Sequence, residues 1–141
     1  MRRGFTLVEL LSVVAILGIL AAVVTPPLVR YLDQAAVREG VERYAALHAT
    51  TRQLAISRSA LARLELDRAR PFATLSVQRS LTAWDTIGVY PLGSATVTCS
   101  NPVVVFGPLG LGYGTSNTRV IFSRGSAADT VTTSRTGRLR R

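Results

Sequence analysis

The chain has 141 residues, enough for a short leader, one anchor and one small domain. Its 17 basic residues, every one an arginine, face 8 acids, for a formal charge of +9, which suits nucleic acid, anionic lipid or acidic partners. One cysteine, Cys99, leaves no internal disulfide, and the single histidine, His48, has no His, Cys, Asp or Glu cluster at ligand spacing beside it.

Met1-Arg2-Arg3-Gly4 leads into Phe5-Thr6-Leu7-Val8-Glu9-Leu10-Leu11, and apolar sequence then continues to Val29. Leu10 to Val29 carries no formal charge. At about 1.5 Å of helical rise per residue it reaches roughly 30 Å, the thickness of a bilayer core. Arg2 and Arg3 favour a cytoplasmic N terminus, although Arg30 on the far side weakens that charge argument. One acid, Glu9, lies inside this apolar unit, where an unpaired carboxylate costs several kcal/mol. Glu9 lies four residues beyond Phe5, only about 6 Å along the helix. A removable secretory signal would need an A-x-A-like site after the apolar core, and Ala21-Ala22-Val23-Val24-Thr25-Pro26 offers none. A plain single-pass anchor explains the length but neither Gly4 nor Glu9. Ala15, Gly18, Ala21 and Ala22 form a small-residue stripe suited to close helix packing, or reflect ordinary alanine usage.

The run Gly4-Phe5-Thr6-Leu7-Val8-Glu9-Leu10-Leu11, with Pro26 further on, resembles the class III signal of type IV prepilins and type II secretion pseudopilins. The resemblance implies that a prepilin peptidase cuts between Gly4 and Phe5 and methylates the new N-terminal Phe5. It implies that Glu9 meets the N-terminal amine of a neighbouring subunit during filament assembly. It also implies other pilins or pseudopilins and an inner-membrane assembly platform as partners. The protein would then be single-pass in the cytoplasmic membrane, with its head outside the cytoplasm.

Pro26-Pro27 removes backbone donors and predicts a kink in the helix. Beyond it, apolar or small residues recur at Leu28, Leu32, Ala36, Gly40, Tyr44, Leu47, Thr51, Leu54 and Ala55, a helical period with one buried stripe. Arg38 with Glu42, and Glu39 with Arg43, are spaced for ion pairs on the outer face. Gly40 reads as a weak point. The predicted divisions are a leader over 1–4, a transmembrane or filament-core helix over 5–29, an amphipathic helix over 30–58 and a β-rich head over 59–141.

In the head, 60–66 alternates like a half-buried strand, although its first residues could extend the helix. Arg68-Ala69-Arg70-Pro71 reads as a turn and 72–77 as a second strand, while 81–91, with Trp84 and Tyr90, has no clear pattern. Strands are predicted at 96–99 and 103–106 around a Ser100-Asn101-Pro102 turn, and at 119–122 and 130–133 as a pair. The glycine-rich stretch 107–114 lacks a Gly-Lys-Ser/Thr ending and a following helix, so it is not a phosphate loop. The fold class is α+β: a long kinked N-terminal helix, its first half transmembrane, packed on an antiparallel β-rich head.

Phe106-Gly107-Pro108-Leu109-Gly110, Thr118-Arg119-Val120-Ile121-Phe122 and Gly137-Arg138-Leu139-Arg140 resemble the GspH/FimT group of minor pseudopilins and minor pilins. That resemblance implies a structural subunit of a type II secretion pseudopilus or of a type IV pilus. The alternative it carries is a FimT-like minor pilin whose tail, Arg138, Arg140 and Arg141, contacts DNA during natural transformation. The other reading of those arginines is a solvated chain end. No catalytic residue, metal site or cofactor is expected, because no Ser/His/acid order and no paired-carboxylate motif occurs.

Overall fold

Thr6 starts helix α1, Leu7–Ser57. Its backbone oxygen accepts from the N–H groups of Glu9 and Leu10, and its Oγ1 accepts from Glu9 N–H at 3.3 Å. Thr6-Leu7-Val8-Glu9 is therefore a capping-box sequence, with the acid three residues after the cap, where the positive end of the helix dipole favours it. The structure, a computed structural model, describes residues 6–114 and 117–141.

The chain forms two units, Met1–Leu32 and Asp33–Arg141. Within the first, every described residue is helical after Thr6 and exposed. The helix continues through Pro26 and Pro27 without a break in secondary structure. The two prolines leave the carbonyls one turn back without their usual amide donors. Just before them the Thr25 hydroxyl bonds Ala21 O at 2.6 Å. The helix is long and apolar enough to cross a membrane.

In the second unit the rest of α1 buries Ala36, Val37, Gly40, Val41, Tyr44, His48, Thr51 and Ala55, spaced so that they share one face. The predicted stripe was right in phase. It missed Val37, Val41 and His48, and it included Leu28 and Leu32, which are exposed. Gly40 is a close-approach site rather than a weak point: a Cβ there would lie 2.7 Å from Phe122 Cδ1 and 3.1 Å from Leu92 O. Of the two ion pairs read from spacing, Glu39–Arg43 forms at 2.6 Å. Arg38 and Glu42 form none among the described residues.

The helix ends in a Schellman arrangement. Ala60 N–H bonds Ala55 O, Ser59 N–H bonds Ile56 O, and Ser59 sits at φ 48°, where glycine is the usual residue. Eight strands follow among the described residues: β1 (Ala62–Leu66), β2 (Phe72–Gln78), β3 (Trp84–Pro91), β4 (Thr96–Cys99), β5 (Val103–Phe106), β6 (Thr118–Arg124), β7 (Ala127–Thr133) and β8 (Leu139–Arg140). They form two antiparallel sheets, ordered β3-β2-β1-β5 and β4-β6-β7-β8. The α+β class holds, and the pair predicted across residues 124–127 is the β6–β7 hairpin, Thr118 opposite Thr133.

One expectation changes. Residues 60–61 neither extend the helix nor join β1, because the reversal at Ser59 intervenes. The strands flanking Ser100-Asn101-Pro102 do not pair with each other. β4 pairs with β6 and β5 with β1, so these three residues carry the chain from one sheet to the other. Proline has no N–H for a hairpin ladder and holds the preceding residue extended. Asn101 Oδ1 accepts from Val103 N–H, and Pro102 O accepts from Leu66 N–H at 2.7 Å, which seats β5 beside β1. The unpatterned stretch 81–91 contains edge strand β3, whose Trp84 lies under the Arg63 guanidinium at 4.6 Å. An edge strand with both faces largely exposed has no alternation to betray it.

The main core brings together Val37, Val41 and Tyr44 of α1, Leu64 and Leu66 of β1, and Val120, Phe122 and Val131 of β6 and β7. A second cluster, Ala55, Ala62, Val77, Val104 and Phe106, closes the end nearer the helix C terminus. Burying such side chains contributes roughly 1.5–3 kcal/mol each. Tyr44, fully buried, carries its hydroxyl to Thr133 Oγ1 at 3.4 Å, and burial raises its pKa above the ordinary tyrosine value.

Candidate functional site

Two regions carry the residues singled out by sequence. Gly4 and Phe5, the expected cleavage pair, lie outside the described residues. Glu9 is on the first turn of α1 and exposed, and Pro26 lies within the continuous helix. Thr6, which caps that helix, was missed; the Thr-x-x-Glu spacing was the signal for it.

The C-terminal arginines are held by a built turn rather than hanging free. Ser134 N–H bonds Arg138 O at 2.8 Å, Gly137 N–H bonds Ser134 O at 2.9 Å, and Arg138 N–H bonds Ser134 Oγ at 3.0 Å. Gly137 is buried at φ 80°, and a Cβ there would fall 2.7 Å from Phe106 Cε1, so only glycine fits this turn. Leu139 and Arg140 then pair with Thr133 and Thr132 as β8. Arg141 is occupied: its Nε and a terminal nitrogen both bond Asp129 Oδ2 at 2.8 Å. Arg138 and Arg140 are exposed and form no ion pair with a described residue. The three tail arginines therefore separate into two free cations and one paired one.

Arg138 lines a cleft of about 580 Å³ with His48, Arg52, Gln53, Ile56 and Leu139. His48, Arg52 and Ile56 recur every four residues along α1, and Ala49 and Gln53 line the same cleft at the same spacing. That periodicity was visible in the sequence, but nothing local linked it to a segment 82 residues or more away. The glycine-rich loop lies beside it: Gly110 has room for no side chain, since a Cβ would meet Ile56 Cδ1 at 2.7 Å and Arg52 Nε at 3.1 Å. Gly110 thus packs closely against Arg52 Nε and the Ile56 side chain.

His48 is 5% exposed, its ring edge-on to Phe106 at 4.9 Å, and its Nε2 has no hydrogen-bond partner among the described residues. Burial first, and the nearby Arg52 charge second, push its pKa down to about 4, so the imidazole is neutral at neutral pH. Cys99 is half-buried; burial raises its thiol pKa, and Arg68 pulls it back part of the way. No group of three His, Cys, Asp or Glu among the described residues is placed to hold a metal.

A helix-capping Thr-x-x-Glu at the head of an apolar helix, and a head of two antiparallel sheets on that helix's later turns, make up a pilin-like fold. Residues 1–25 match the prokaryotic N-terminal methylation motif. The fold is similar to that of the type IV minor pilin FimU of Pseudomonas aeruginosa in its P21 crystal form, with a TM-score of 0.60 at 14% identity over 74% of this chain and 86% of that one. The P65 form of FimU gives a TM-score of 0.60 at 12% identity over 73% of this chain and 90% of the other.

Proposed function

We propose that the chain is a minor pilin-like structural subunit, anchored by its apolar helix in the cytoplasmic membrane and drawn from there into a filament. The supporting observation is the methylation motif over residues 1–25 at the start of a helix apolar and long enough to span a bilayer. In this reading a prepilin peptidase removes residues 1–4 and methylates Phe5, and the exposed Glu9 pairs with the N-terminal amine of a neighbouring subunit. An ion pair in an apolar setting is strong, and a subunit in the wrong register leaves a bare carboxylate, so Glu9 sets register as well as attraction. An inner-membrane assembly platform is the further partner, and the likeness to a type IV minor pilin favours a pilus over a secretion pseudopilus.

Intact-mass measurement tests the processing: the mature chain is expected to begin at a methylated Phe5. A chain that retains Met1, or is trimmed beyond Pro27, overturns the proposal. Glu9→Leu is expected to insert and be cleaved normally yet be absent from sheared filaments; incorporation at the normal level refutes the assembly role.

The second reading, DNA contact through the C-terminal segment, is favoured by the two cations there that no described acid neutralises, Arg138 and Arg140. Contacts to phosphate alone would weaken steeply with salt and ignore sequence.

A further inference from the structure

The cleft beside Arg138 has features that a solvated chain end does not need. It places two guanidiniums, from Arg52 and Arg138, on its walls, and no acid lines it. Neither arginine forms an ion pair with a described residue. An amide, Gln53, and apolar surface from Ile56 and Leu139 line the cleft as well. His48, nine-tenths buried and lining the same cleft, keeps a ring nitrogen without a partner. A buried polar atom left unsatisfied is costly, and a ligand offering a partner atom would recover that cost. The volume, about 580 Å³, matches a group with a body and a charged head, larger than a bare anion needs.

We propose that this cleft seats one unpaired nucleotide of a single-stranded nucleic acid, its phosphate between Arg52 and Arg138 and its base or sugar face against Ile56 and Leu139. The assignment rests on the reading of the C-terminal segment as a nucleic-acid contact and names what that contact holds. Guanidinium forks match phosphate oxygens, and the aliphatic side chains of Ile56 and Leu139 offer apolar contact to the face of an unstacked base. A base in a duplex is already stacked and paired and must be extruded first, so a free strand enters at lower cost. Nucleic acid is favoured over a lone protein carboxylate because the cations continue. Arg135 and Arg140, both exposed and without an ion pair among the described residues, flank Arg138 along the turn and β8. A row of cations answers a repeated anion; one carboxylate would use only one of them.

The test uses the full chain in detergent micelles and fluorescence anisotropy with a labelled oligothymidylate of twelve nucleotides, an abasic strand of equal length, and a duplex. The expected result is binding of the thymidylate at low salt, with roughly tenfold weaker binding of the abasic strand and of the duplex. Arg52→Gln and Arg138→Gln are each expected to weaken thymidylate binding by about tenfold, while Arg119→Gln, an exposed arginine away from the cleft, changes it less than twofold. Equal affinity for the abasic strand overturns the seating of a base. Displacement of the thymidylate by an oligoglutamate peptide at equal charge overturns the nucleic-acid assignment. Loss on Arg138→Gln with no change on Arg52→Gln overturns the cleft and leaves the contact at the C-terminal segment standing. Absence of binding to every probe at low salt removes both.

Discussion

The described part of the first unit and the head spend the same residue types in opposite ways. Leu7, Val8, Leu10, Leu11, Ile16 and Ile19 stand at 57–75% exposure on the first part of α1, whereas Leu64, Leu75, Val104, Val120 and Val131 of the head are at 2% or less. Water would not tolerate the first arrangement as a free surface of this length. Hydrocarbon, or the flanks of like helices, would take it. The lesson is that one apolar stretch can be judged only by what surrounds it: the head supplies its own surroundings, and the helix before Asp33 does not.

The contrast can be sharpened by damaging the head alone. Phe122→Ala removes a fully buried ring that touches Tyr44 and fills the notch at Gly40, and is expected to destabilise the head by about 3–5 kcal/mol in chemical unfolding while leaving membrane insertion intact. Failure of insertion in that variant would show that the two regions are not independent. Acid acts next. His48 is neutral in the folded head with its pKa near 4, against 6.5 for the free group, so the unfolded chain takes up the proton first. Stability is full above about pH 6.5 and falls as pH drops towards 4, by up to roughly 3 kcal/mol. His48→Leu is expected to flatten that part of the profile measured by thermal unfolding at stepped pH.

Smaller effects probe the backbone. Gly40→Ala gains helix propensity but drives a Cβ against Phe122 and the Leu92 carbonyl, and is expected to lose about 1–2 kcal/mol. A gain in stability would mean that the close approach relaxes. Ser59→Gly, at a left-handed helix end, is expected to stabilise the head by roughly 0.5 kcal/mol.

The regions also differ in how far they can be read in advance. The N-terminal motif is local: Gly4, Phe5 and Glu9 are neighbours in the chain, and the capping and apolar patterns need nothing from elsewhere. Strands β1, β2, β6 and β7 announced themselves through alternation or an obvious turn, and so did the helical stripe. The strands flanking Ser100–Pro102 were legible but their pairing was not, because their partners, β1 and β6, lie outside the local window. Gly40 was misjudged for the same reason: its value comes from Phe122, which only the fold brings there. At the candidate cleft, Arg138 was visible as part of a motif, but Arg52 and His48 were not, because their relation to it is made by α1 and β8 meeting in space.

The three-residue passage from β4 to β5 has a mechanical consequence. It ties an edge strand of one sheet directly to an edge strand of the other, with almost no slack. Neither sheet can peel away under tension without dragging its neighbour. A head pulled between its helix and its far end is therefore expected to rupture in a single force peak.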